Sequence, residues 1–120
     1  MTLQDEQEIL KSETVTQKVI DFVTQKIVER FAPEKIIMFG SQARGEQGAD
    51  SDLDLFIIKD DAQSDFDMGV NISRVFWGRR FPLDIIVRKP KEVALELARN
   101  NPFYIYHIFK DGKLLYEHRS

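Results

Sequence analysis

Gly40-Ser41-Gln42-Ala43-Arg44-Gly45, followed shortly by Asp50-Ser51-Asp52-Leu53-Asp54-Leu55, is the stretch on which the reading of this chain turns. An apolar run ending at Phe39 leads into it, and a second, Leu53-Leu55-Phe56-Ile57-Ile58, leads out. A Gly-Ser corner leaving a strand offers unobstructed backbone N–H groups and a hydroxyl, donors that suit phosphate oxygens. Asp52 and Asp54 are one residue apart, so on a strand both carboxylates point to the same face. Such a pair suits a hard divalent cation like Mg²⁺, which takes carboxylate and phosphate oxygens together. Phosphate cradle and cation perch in one hairpin-sized segment point to chemistry on a nucleotide.

Outward from this stretch, Lys35 to Phe39 is a short continuous apolar run, which predicts a buried strand. Residues 40–51 are a loop with three glycines, with room for a turn of helix after Ser41. Asp52 to Ile58 is the second strand, and polar Lys59 to Ser64 a turn. The spacing of Phe66, Val70, Ser73 and Phe76 or Trp77 predicts a helix over 65–80, which Gly69 weakens by about 1 kcal/mol against alanine. A third strand covers 82–88, with Pro82 at its first residue, where proline is tolerated. Pro90 opens a helix packed through Val93, Leu95, Leu97 and Ala98, and Asn100-Asn101-Pro102 breaks it. Phe103 to Phe109 is apolar on every side and is expected to be mostly enclosed, with Tyr104 or Tyr106 available to a partner and Trp77 a weaker candidate. Asp111-Gly112 turns the chain into a last strand, Lys113 to Tyr116.

On the N-terminal side, Val15, Val19, Phe22, Val23, Ile27 and Phe31 recur at helical spacing, so 15–31 reads as an amphipathic helix. Thr14 with Gln17 matches a capping box, and Ala32-Pro33 is the stop. Residues 1–13 are polar and acidic, either a short helix or a loosely held arm, and 14–120 read as one domain.

The loop after Phe39 is too short for a crossover helix, so strands 35–39 and 52–58 run antiparallel and Gly40-Ser41 falls beside Asp52 and Asp54. Strands 52–58 and 82–88 are joined by a helix-length segment, a βαβ crossover that makes them parallel. Asp54 and Asp84 are each the third residue of their strand, so Asp52, Asp54 and Asp84 converge at one end of the sheet. Three carboxylates that close repel one another unless a cation lies between them.

Composition narrows the field. A chain of 120 residues holds one core, and 42% hydrophobic with 31% charged residues is ordinary for a soluble fold. A net charge of -3 argues against sequence-blind binding to nucleic acid, which needs clustered Lys and Arg. The absence of cysteine excludes disulfides, thiolate metal sites and thiol nucleophiles. The polar start lacks the apolar centre of a signal peptide, and no run approaches the roughly 20 residues of a membrane span, so a cytoplasmic protein is expected. Two tempting motifs fail. An EF-hand loop beginning at Asp50 needs glycine where Leu55 stands and glutamate where Asp61 stands. A P-loop needs Gly-Lys-Ser/Thr, which is absent after Gly40.

Gly40-Ser41, ten intervening residues, Asp52-Leu53-Asp54 and then Asp84 inside an apolar strand resemble the DNA polymerase β-like nucleotidyltransferase superfamily. Gly-Ser-x-Ala-Arg-Gly with Ser-Asp-x-Asp-Leu looks like its minimal, single-domain branch, over about residues 15–117. The resemblance implies an α/β (α+β) fold with a small mixed sheet flanked by helices. It implies that Gly40 and Ser41 bind the β- and γ-phosphates of ATP. Asp52 and Asp54 would hold two Mg²⁺ ions, with Asp84 as third ligand or as base. Arg44 either steadies the triphosphate or pairs with the acids. The implied chemistry is in-line attack of an acceptor hydroxyl on the α-phosphorus, with pyrophosphate leaving. Minimal members are similar to the antitoxin of HEPN/MNT toxin–antitoxin pairs, which implies transfer of AMP to a tyrosine of a HEPN ribonuclease toxin. The rival enzyme reading is transfer to a small molecule such as an aminoglycoside, disfavoured because no second domain is present to enclose it. The rival from another class is a non-catalytic, toxin-binding antitoxin. Homo-oligomerisation is left open. Arg79 and Arg80 are expected to be a solvated helix end, His107 a packed, hydrogen-bonded histidine and His118 idle.

Overall fold

Three runs of apolar residues too short for helices fold as adjacent strands of a four-stranded sheet, and a fourth strand joins them. β1 (Lys35–Phe39), β2 (Leu53–Ile58), β3 (Leu83–Arg88) and β4 (Lys113–Glu117) lie in the order β3-β2-β1-β4. The computed structural model describes residues 1–45 and 51–119. The middle of the loop after β1, including Asp50, lies outside them. β1 pairs antiparallel with both β2 and β4, and β2 pairs parallel with β3, as the connection lengths require. Both acid-bearing strands begin one residue later than expected. The offset is the same in each, so Asp54 still stands directly opposite Asp84.

The sheet separates two apolar layers. Alternating residues of β1 and β2, Ile36, Met38, Leu53, Leu55 and Ile57, face helices α2 (Gln17–Phe31) and α3 (Asp65–Val75). Ile37, Phe56 and Ile58 face α4 (Pro90–Ala98) and α5 (Phe103–Lys110), where Tyr104 meets Phe56 edge-on at 5.6 Å. Residues 3–10 form helix α1, capped by Thr2 and Asp5, with Ile9 in the core and Glu6 paired to Lys26 of α2. Of the two readings for the N-terminal residues, the helix is observed.

Several sequence expectations are corrected. The cap of α2 is Thr16, whose hydroxyl accepts from the Val19 N–H at 3.2 Å, and not Thr14. Val15 at N′ and Ile20 at N4 join the same core, the arrangement of a hydrophobic staple, and this sets where the helix begins. The helix ends at Ala32 in the left-handed conformation, before Pro33. Helix α3 stops at Val75 and buries Met68, Ile72 and Phe76, whereas Phe66 (78% exposed) and Trp77 (84%) point away from the core. In α4, Val93 is buried and Leu97 packs beside it, but Leu95 and Ala98 are exposed. Helix α5 is wound in the wider π form, closed by the Asp111 N–H to the Tyr106 carbonyl at 2.9 Å. It is not enclosed: Tyr104 and Ile108 are buried, while Tyr106 is 51% exposed and Phe109 is also exposed. His107 is exposed too, its ring tilted against Phe103. Gly112 follows because a Cβ there would lie 2.1 Å from the Ile108 carbonyl oxygen and 2.7 Å from Ile37.

Candidate active site

Strand pairing alone assembles the site. β1 ends where β2 begins, with Phe39 opposite Asp54, and β2 carries Asp54 directly beside Asp84 of β3. The Leu53 N–H to Pro82 carbonyl bond, 3.0 Å, holds the two strand starts level. Asp52 precedes Asp54 by two residues and so shares its face. One carboxylate oxygen from each of Asp52, Asp54 and Asp84 lies within 4.8 Å of the others. Asp52 and Asp54 are half-buried and Asp84 is exposed.

The acids act on one another. Burial first, then the charges of Asp84 and Asp52 and a hydrogen bond with Asp84, raise the Asp54 carboxyl from an ordinary 3.8 to about 6. The Arg44 guanidinium works the other way and favours the charged form. Arg44 is itself exposed, with its charge directed at the acid group.

The turn after β1 is built around the same carboxylate. Gly40 has φ +76°, and a Cβ there would sit 2.3 Å from Asp54 Oδ2, so only glycine lets the carboxylate approach the backbone. Residues 41–45 make a single turn, with the Arg44 N–H donating to the Gly40 carbonyl at 3.2 Å. Ser41 is half-buried in that turn, one residue from the Asp54 contact.

Gln42 was not foreseen. It is 3% exposed, and its Nε2 donates to the Ser51 carbonyl at 3.3 Å, tying the turn to the residue before Asp52. Its Oε1 is buried and has no hydrogen-bond partner among the described residues. A polar residue between Ser41 and Ala43 reads as ordinary loop, since its partner lies nine residues on.

Residues 17–120 match the model of the polymerase β nucleotidyltransferase family. The chain belongs to that family. Among solved structures, one of a candidate nucleotidyltransferase from Sulfolobus solfataricus superposes with a TM-score of 0.58. It is 23% identical, over 95% of this chain and 86% of that one, and so attests a shared fold. No curated protein matches the sequence.

The donor set of this nucleotidyltransferase fits a hard divalent cation. Three carboxylates offer only oxygen ligands, they are close enough to share an ion, and their mutual repulsion is what an ion would relieve. Among the described residues no helix is long and apolar enough to cross a membrane.

Proposed function

We propose that the chain catalyses Mg²⁺-dependent transfer of AMP from ATP to a protein hydroxyl, the tyrosine of a HEPN-type ribonuclease toxin, and thereby acts as its antitoxin in the cytoplasm. The observation that carries this reading is the convergence of Asp52, Asp54 and Asp84 against the Gly40 turn. In this scheme Asp52 and Asp54 hold the cations, two as the family resemblance implies, and Asp84 completes the set. Gly40 and Ser41 receive the β- and γ-phosphates through backbone N–H and hydroxyl donors, and Arg44 adds positive charge on the same side. Mg²⁺, when bound, supplies charge neutralisation to the triphosphate and to the developing transition state.

The acceptor oxygen forms its bond to the α-phosphorus as the bond to pyrophosphate breaks, and the hydroxyl proton passes to Asp84 or to water. Asp84 is the most exposed of the three acids, which suits an acceptor carried on a bulky partner. The test is incubation with labelled ATP, Mg²⁺ and the HEPN-type partner. Label on the partner is expected, and its loss with Asp52→Asn or Asp54→Asn. A partner that is inhibited yet unlabelled would replace catalysis with neutralisation by contact alone.

A further inference from the structure

Outside the acid cluster, an open groove of about 580 Å³ lies between α3 and the edge strand β3. Its apolar wall is a stripe that the core leaves unused, Phe66 and Val70 on α3 and Trp77 just past its end, facing Ile85 of β3. Three guanidinium groups line it, Arg74, Arg79 and Arg88, the last of them shared with Glu92 at 3.9 Å. Among the described residues Arg74 has no carboxylate within ion-pair distance, and Arg79 donates only to the carbonyls of Phe76 and Leu83. The one carboxylate in the lining, Asp65, is already met by Lys89 at 3.1 Å.

The groove runs beside the strand that carries Asp84. Ile85 and Val87 line it from the α3 face of β3, and Ile86 and Arg88 from the opposite face, the one that carries Asp84, so the groove continues round the edge strand to the side of the third acid. The outer edge of β3 is itself partly covered, since Arg79 reaches the Leu83 carbonyl and Arg88 Nη1 the Val87 carbonyl at 2.7 Å. Addition of a fifth strand is therefore blocked by side chains at both ends. What fits is a segment lying over the apolar floor, with carboxylates toward Arg74 and Arg79.

We infer that this groove docks the acceptor, an extended acidic segment of the partner protein with an apolar anchor against Phe66 and Trp77, and so delivers the acceptor hydroxyl to the Asp84 end. The inference rests on the reaction proposed above for its purpose, but its binding step is measurable alone. Trp77 is the chain's single tryptophan and is almost fully exposed, so its fluorescence reports occupancy.

The probes are a synthetic peptide of glutamate, leucine and tyrosine, the same peptide with lysine for glutamate, and a single-stranded oligonucleotide, all without ATP or metal. The acidic peptide is expected to shift the emission to the blue in a saturable way. Arg74→Glu should weaken its binding by about tenfold or more, and Phe66→Ala should weaken it as well. Asp54→Asn should bind as wild type does. An equal response to the lysine peptide, or unchanged affinity in Arg74→Glu, overturns the proposal. Tighter oligonucleotide binding overturns it in favour of nucleic acid. A blue shift with protein concentration alone, accompanied by a dimer in sedimentation, overturns it in favour of a second copy of the chain. Peptide binding without label transfer would count against the reaction and leave the groove standing, whereas label transfer unaffected by Arg74→Glu would count against the groove.

Discussion

The β2–β3 ladder keeps one geometry along its length, but its two ends are built on opposite terms. From Phe56 onward the strands face apolar neighbours: Phe56 has no exposed surface, and Ile58, opposite Arg88, is buried too. Arg88 turns its charge out toward a backbone carbonyl and Glu92. At the other end Asp54 stands opposite Asp84 with Asp52 beside them, three like charges where cross-strand pairing disfavours them. The contrast separates the part of the ladder that holds the fold together from the part that the fold holds in place. Only the second is acidic, and a hard divalent cation is what would relieve its repulsion.

The largest effect is expected at Phe56. Phe56→Ala removes a fully buried ring that also meets Tyr104, and should cost about 3–5 kcal/mol in denaturant unfolding. A loss below about 1 kcal/mol would mean that this end is not the stabilising one.

Gly40→Ala probes the junction between the two regimes. The left-handed backbone costs a non-glycine residue about 1–2 kcal/mol, and the new methyl must displace the Asp54 carboxylate. Calorimetry should show lowered stability together with weakened Mn²⁺ binding. Stability lost with cation affinity intact would remove Gly40 from the site.

The smallest effect is a pH dependence. Asp54 binds its proton more tightly in the folded chain, about 6 against 3.8, so its contribution to metal-free stability is complete below pH 3.8 and is lost as pH rises through 6. Glu92, raised chiefly by a hydrogen bond with Asp65, acts in the same direction. The difference between wild type and Asp54→Asn therefore isolates the site: the advantage of the variant in metal-free stability should grow between pH 4 and pH 6.5. A constant difference across that range would place the repulsion elsewhere.

The strand pairing and the meeting of the acids were legible because connection length fixes strand direction and alternation fixes the face, and neither depends on distant contacts. The phase of α3 was not legible. Phe66, Val70 and Trp77 form as good a stripe as Met68, Ile72 and Phe76, and the choice is made by packing against the sheet and Phe22. Thr14 matched a capping pattern better than Thr16, but the backbone entering α2 decided between them. In helix α5 the polar His107 and Lys110 lie with Tyr106 on the exposed side, a signal masked by the apolar residues around them, and its π winding has no counterpart in the sequence pattern. Gln42 stayed hidden because its role exists only once Ser51 is brought back beside it.

Asp52, Asp54 and Asp84 form a candidate cation site whose repulsion the apolar end of the ladder sustains. Thermal unfolding at pH 7, with and without Mn²⁺, tests it on wild type and Asp54→Asn. Wild type should gain about 2.7 kcal/mol at a cation concentration about 100 times Kd. Asp54→Asn should start out more stable than metal-free wild type and gain little. A wild-type protein indifferent to the cation, or a variant that responds as strongly, would contradict the account.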